Sequence, residues 1–335
     1  MNLLGPEETA ANFFPLLEKE LRAALTLFWE IAQSILDKSP VQLNPPSSDY
    51  FSLENNFFSA LFLYSYIRSG ISEPRRILFA AMNQCLRGMV TGCDNLLDDE
   101  YKQTLDTDLP GNARKFRSIL DIMTSDRILT AIMYRGCQEG EFSQDQILSA
   151  NRASLHALLK SGAQEASEEK GIDRILGPET LLSEVHSIKT GILFQAPWVL
   201  PQLIGGKGSI PPDRIKEGLF FLGMGCQVLD DMVDMAMDIV KKRHNYVISL
   251  IVHGKDLEEK KRLEPFLYPV DPKPADSGLL DEFPRGRKKA AEKALHLLEK
   301  GSRMLFAPEH EFMVPYSIEF FARRIGADRF LDPVP

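Results

Sequence analysis

Apolar side chains recur at intervals of three and four along most of this chain, and two-residue alternation is nearly absent. Residues 10–38 set the pattern: Phe13, Leu16, Leu17, Leu21, Leu25, Phe28 and Ile31 fall near one face of a 3.6-residue helix. Residues 52–70 repeat it, with Ser52 as the expected N-cap and Gly70 as the stop. A third run, 73–103, opens with Pro74 in its first turn, where a proline sacrifices no helical hydrogen bond. Further helices are expected over 112–137, 143–167, 179–200, 212–242 and 286–304, with a short one over 314–325. The stretch "NYVISLIVHG" is rich in β-branched residues but follows a helical pattern with no turn before it, so it also reads as helix. Residues 263–286 hold five prolines and read as the clearest long loop. The expectation is one all-α domain over residues 1–335, with about ten helices, too many for a four-helix bundle alone.

Charge narrows the function classes. A formal net charge of −8 argues against a nucleic-acid partner, which demands a basic surface. No apolar run approaches the ~18 residues of a membrane span. Cys85, Cys93, Cys137 and Cys226 form no zinc-type spacing and read as reduced thiols. The N-terminus shows no basic segment followed by an apolar one, so the expected location is cytoplasmic.

Two acidic clusters break the otherwise ordinary helices. "DNLLDDE", residues 94–100, crowds four acids into two turns, and "DDMVDMAMD" places Asp230, Asp234 and Asp238 at i, i+4 and i+8. Asp94 and Asp98 are likewise i, i+4. Like charges at that spacing destabilise a helix by ~0.2–0.5 kcal/mol per pair. A single acidic pair is ordinarily a solvated face. Here two clusters recur, each at the end of an apolar helix, and the second runs into "KKRHN". Magnesium takes octahedral oxygen ligands, commonly one or two carboxylates plus phosphate oxygens and water. Two carboxylate arms therefore point to Mg²⁺ ions bridging the protein to a diphosphate, with Lys241, Lys242 and Arg243 as added cations.

These residues resemble the trans-prenyltransferase (polyprenyl synthetase) family. "DDMVD" at 230–234 matches its second DDxxD motif and is preceded by Gln227, as in FQxxDD, with Cys226 in place of Phe. "DNLLD" at 94–98 matches the first motif with Asn95 in place of an aspartate. "HSIKTGILFQA" is similar to the family's Lys-Thr segment and marks Lys189 and Thr190, and "SILDIMTSDRILTAIM" is similar to the segment after the first motif. The resemblance spans residues 70–325 and implies the isoprenoid synthase fold, a large helical bundle around a central apolar cavity.

It also implies a reaction. Three Mg²⁺ ions with the bound diphosphate would be held by Asp94, Asp98, Asp230, Asp234 and Asp238. An allylic prenyl diphosphate would be ionised and its cation coupled to isopentenyl diphosphate. Asp94, Asp98, Lys189 and Asp230 are the expected catalytic residues; Lys189, Thr190, Gln227, Lys241, Lys242 and Arg243 are expected on the diphosphate. Met89 and Val90, one turn before the first motif, stand where family members set chain length. Phe194, Phe220 and Phe221 are candidate cavity walls, with ordinary core packing as the plainer reading. His186 and His244 carry no clear role, and "GGKGS" at 205–209 reads as a turn. A homodimer is expected, from the family and from the apolar surface of 52–69.

Two departures keep other readings open. The family's GGKRxRP motif is replaced by "SGISEPRRILFAA", leaving Arg75 and Arg76 as candidate holders of isopentenyl diphosphate. The Arg-Arg-Gly after the first motif is missing. "KKRHNYVISLIVHG" also resembles the HN-x-V stretch of microbial class I terpene cyclases, and "DNLLDD" resembles the acidic motif of squalene synthase-like enzymes. A cyclase working on one allylic diphosphate, or a non-catalytic prenyltransferase subunit, are the alternatives.

Overall fold

The structure, a computed structural model, describes residues 6–98, 101–205, 211–267 and 278–331, with side chains from Phe13 onward. Its helices are α1 (Pro6–Leu36), α2 (Phe57–Arg68), α3 (Glu73–Asp98), α4 (Arg114–Gln138), α5 (Gln144–Ser167), α6 (Pro178–Thr180), α7 (Val199–Ile204), α8 (Asp213–Lys241), α9 (Tyr246–His253), α10 (Leu257–Leu267), α11 (Pro284–Leu305) and α12 (Met313–Ile325). The strand-like features among the described residues come down to one isolated antiparallel bridge, Leu43 to Thr107. The chain gathers into two compact units, Met1–His156 with Pro197–Pro212, and Ala157–Ala196 with Asp213–Pro335.

In the first unit α3 lies along α4 and α1. Phe79, Met82, Ile128, Leu129, Ile132, Leu21 and Leu25 are fully buried between them. Contact is close where it nears the acids: a Cβ on Gly92 would stand 2.9 Å from the Ser118 carbonyl oxygen. Trp198 is fully buried, 5.0 Å from the Tyr66 ring centroid, and donates to Ser65 Oγ at 2.9 Å. Tyr66 donates in turn to the Pro197 carbonyl at 2.6 Å, so the 197–204 segment is pinned to α2. The segment after the first motif is tied back by a short ladder, with Asn44 N–H to Asp106 O at 2.9 Å and Asp108 N–H to Gln42 O at 3.0 Å. Arg117, buried, donates to the Leu109 carbonyl from α4.

In the second unit α8 is the axis, packed on α11 and on a π-helical segment, Leu181–Gly191. Here the structure corrects the expectation of one helix over 179–200. The chain passes from α6 into the π segment, then into a 3-10 turn at Leu193–Trp198, then α7. Ile192 N–H bonds Ser187 O at 2.8 Å, an i−5 bond. Pro197 and Pro201 lack the N–H groups that a continuous α-helix would use. Apolar periodicity does not distinguish a π segment from an α-helix, and π turns gather at functional sites.

Three boundaries also differ from expectation. Helix α2 begins at Phe57, not beside Ser52; the Ser52 hydroxyl instead accepts the Asn55 N–H at 3.2 Å in a separate turn. "NYVISLIVHG" is helical, but a turn does precede it: Lys242 adopts φ 53° and Asn245 caps α9, accepting from Val247 and Ile248 N–H at 2.9 and 3.2 Å. The 263–286 loop is shorter than expected, since α10 runs through Pro265 to Leu267 and α11 starts at Pro284; residues 268–277 lie outside the described ones.

Candidate metal and diphosphate site

The first arm closes α3. Asp94 and Asp98, one turn apart, are half-buried, while Asn95 is only 3% exposed. The Asn95 amide grips a backbone seven residues on: Lys102 N–H donates to Oδ1 at 2.8 Å, and Nδ2–H donates to Lys102 O at 3.0 Å. Asp99 and Glu100 lie outside the described residues. Met89 and Val90 sit half-buried one turn before the acids. Arg75 and Arg76 stand at the opposite end of α3, and both have partners. Arg75 bonds the Glu141 carboxylate at 2.7 Å and the Gly205 carbonyl. Arg76 pairs with Glu20, whose side chain is wholly buried.

The second arm occupies the last turns of α8. Asp230 is exposed and Asp234 half-buried, one turn apart. Asp238 accepts from Asn245 Nδ2 at 2.8 Å. Burial lifts its carboxyl well above the usual range, the Asp231 charge adds to that, and the Asn245 bond works against it. The buried hub is Asp231, which the spacing argument passed over. It accepts from Gln227 Nε2 at 3.0 Å and Tyr246 N–H at 2.6 Å, and His186 Nε2 lies 3.2 Å away. Gln227 also meets the Thr190 hydroxyl, so Thr190 and Gln227 join one buried network behind the arm.

Lys189 is brought to this arm by the π segment. Its ammonium lies 2.9 Å from Glu165 of α5, and its carbonyl accepts from Ser161 at 2.6 Å. Burial pulls the Lys189 pKa down, but Glu165, then Asp231 and Asp230, outweigh it and hold it above its ordinary value. Lys189 is therefore a fixed positive charge, paired with Glu165 and within the field of Asp231 and Asp230. Glu168, buried, holds the turn after α8 by accepting His244 N–H at 2.9 Å. Burial lowers the His244 imidazole pKa against the opposing pull of Glu168. Lys241 ends α8, and Lys242 and Arg243 occupy that turn.

The aromatic candidates divide between two neighbours. Phe220 packs on Gly191 and Phe194 on Gly223, both where α8 meets the π segment. Phe221 instead lies under the Lys300 ammonium, 3.7 Å from the ring centroid, toward α11. Glu165, Glu168, Asp231 and Asn245 escaped the sequence reading because their roles depend on partners many residues away.

Among the described residues, no three His, Cys, Asp or Glu side chains gather as a ready metal cage. The arms instead offer carboxylates at one-turn spacing, Asp94 and Asp98 on the first and Asp230, Asp234 and Asp238 on the second. That donor set fits Mg²⁺, which needs few protein oxygens when phosphate oxygens and water complete its octahedron.

No family model matches the chain, and no curated protein matches it. Solved structures do. Geranylgeranyl pyrophosphate synthetase of Pyrococcus horikoshii aligns over 93% of this chain and 99% of its own, with a TM-score of 0.61 and 16% identity. Decaprenyl diphosphate synthase of Rhodobacter capsulatus covers 92% and 99%, at TM-score 0.59 and 13% identity. Octaprenyl pyrophosphate synthase of Helicobacter pylori covers 90% and 99%, at 0.58 and 12%. The chain shares the fold of these synthases. The all-α expectation is borne out, and no helix among the described residues is long and apolar enough to cross a membrane.

Proposed function

We propose that this chain is a Mg²⁺-dependent prenyl diphosphate synthase-like transferase. It ionises an allylic prenyl diphosphate and joins the cation to isopentenyl diphosphate. The observation that carries the reading is Lys189, a half-buried ammonium held 2.9 Å from Glu165 on the π segment that packs on α8. A fixed cation on a segment packed against an acidic helix is what a metal-bound diphosphate would complete.

The allylic C1–O bond breaks with both electrons leaving on the diphosphate. Magnesium would be held by Asp94 and Asp98 on the first arm and by Asp230, Asp234 and Asp238 on the second, and would supply Lewis-acid stabilisation of that leaving charge. Lys189, Lys241, Lys242 and Arg243 donate hydrogen bonds to its oxygens. Phe194 and Phe220, packed where the π segment meets α8, keep water from the cation. The alkene of isopentenyl diphosphate attacks C1, and loss of a proton gives a diphosphate one isoprene unit longer.

A second reading, cyclisation of one allylic diphosphate, is favoured by Arg75 and Arg76, which are engaged with Glu141 and Glu20. Incubation with allylic diphosphates, with and without isopentenyl diphosphate, separates the two. A longer diphosphate formed only with both substrates supports transfer; a hydrocarbon or alcohol from one substrate supports cyclisation. Asp94→Ala and Asp230→Ala should each remove most turnover while leaving the melting transition in place, and unchanged turnover in both sinks the site.

A homodimer also belongs to this proposal. Helix α2 buries most of its apolar residues, contrary to the surface expected of 52–69. One exposed apolar stripe is on α4, where Phe116, Ile119, Met123 and Tyr134 are 53%, 42%, 49% and 57% exposed; Leu148, Leu155 and Leu159 of α5, 75%, 56% and 53% exposed, form another.

A further inference from the structure

We infer that the second residue of each acidic motif, Asn95 and Asp231, is a positioning clamp, and that the backbone it grips dictates whether it is an amide or an acid. The inference rests on the proposed function, because it concerns what the two arms hold in place.

At position 95 the two partners belong to one residue. The Lys102 N–H donates to the side chain at 2.8 Å, and the Lys102 carbonyl accepts from it at 3.0 Å. One donor and one acceptor, both backbone groups that cannot turn over, call for an amide in a single orientation. A carboxylate would keep the first bond and set a lone pair against the Lys102 carbonyl. It would also bury a third charge beside Asp94 and Asp98.

Position 231 has the opposite polarity. Gln227 Nε2–H and Tyr246 N–H both donate to it, at 3.0 and 2.6 Å, and His186 Nε2 stands 3.2 Å from the same oxygen as Tyr246. A set of donors calls for a carboxylate. "DNLLD" is thus not a decayed "DDLLD". Each motif keeps an outward pair at its first and fifth residues, and its second residue turns inward to hold the chain beyond the helix.

The gripped stretch carries cations in both cases. The first clamp ends on Lys102 itself. The second ends at Tyr246, so the end of α8 at Lys241 and the turn bearing Lys242 and Arg243 are fastened to the helix that carries Asp230 and Asp234. The clamps fix these cationic stretches at the end of the helix that bears the acids.

Asn95→Asp decides the matter, because it is isosteric and restores the aspartate of the resembled motif. It should lower kcat/KM for an allylic diphosphate about tenfold, one decade per ~1.4 kcal/mol of lost positioning, and raise the Mg²⁺ concentration for half-maximal rate. Asn95→Ala, in metal-free protein, should speed hydrogen exchange of the Lys102 amide by about tenfold or more, with α4 amides unaffected. Asp231→Asn should speed exchange at Tyr246. A lower Mg²⁺ requirement or unchanged kcat/KM in Asn95→Asp, or unchanged exchange at Lys102 in Asn95→Ala, overturns the first clamp. Unchanged exchange at Tyr246 overturns the second. The exchange measurements need no turnover, so an inactive wild type would sink the functional reading while the clamps are judged on exchange alone.

Discussion

Arg76 and Asp121 show how differently buried charge can be settled. Arg76 pairs with Glu20, whose side chain has no solvent contact. Removing one member of a buried pair strands the other, typically at about 3–5 kcal/mol. Arg76→Ala should therefore lower the denaturation midpoint sharply, whatever it does to isopentenyl diphosphate; a stable variant with only a raised KM would instead assign the arginine to substrate. Asp121, 1% exposed, has no such partner. Burial pushes its carboxyl up from 3.8 to about 6, against the pull of the polar groups of Thr104 and Leu105 and of the Arg117 charge; its Oδ2 has no hydrogen-bond partner. A raised acid pKa means the folded state holds its proton longer than the unfolded chain. Its contribution is fully present below about pH 4 and lost as pH rises through 6. Asp121→Asn should flatten this slope, and parallel melting curves for both proteins between pH 4 and 7 would refute it. The outward acids were legible in the sequence because i, i+4 spacing is itself helix geometry. Asn95 and Asp231 were not, because their partners at 102 and 246 lie beyond any helical period.

Among the elements, the longer helices were legible because each buries one stripe along its length. The π segment was not, because its apolar pattern passes for an ordinary helix; only its contacts reveal the register. Those contacts depend on a missing side chain. A Cβ on Gly223 would stand 2.5 Å from the Thr190 carbonyl oxygen and 3.0 Å from the Phe194 ring. Gly223→Ala forces α8 and the π segment apart, and overpacking of this kind costs about 1–3 kcal/mol. Because Lys189 precedes Thr190, the variant should lose turnover as well as melting temperature. A variant that melts lower but turns over normally would show that Lys189 does not depend on this packing.

At the scale of the whole molecule, the α4 stripe makes the dimer testable. Met123→Glu combined with Tyr134→Glu should shift the protein from dimer to monomer in sedimentation at micromolar concentration, since exposed apolar patches of this kind mark association surfaces. A monomeric wild type removes the proposal. The same molecule also carries its own optical probe. Its two tryptophans are Trp29 and Trp198, and Trp198 lies against Tyr66 with its indole N–H engaged by Ser65. In a Trp29→Phe background, emission would come from an indole shielded from water. Its wavelength would report whether the 197–204 segment stays docked on α2. That segment comes only a few residues after the stretch carrying Lys189, so titrating pyrophosphate against this emission would show whether filling the site is felt at the far end of the same piece of chain.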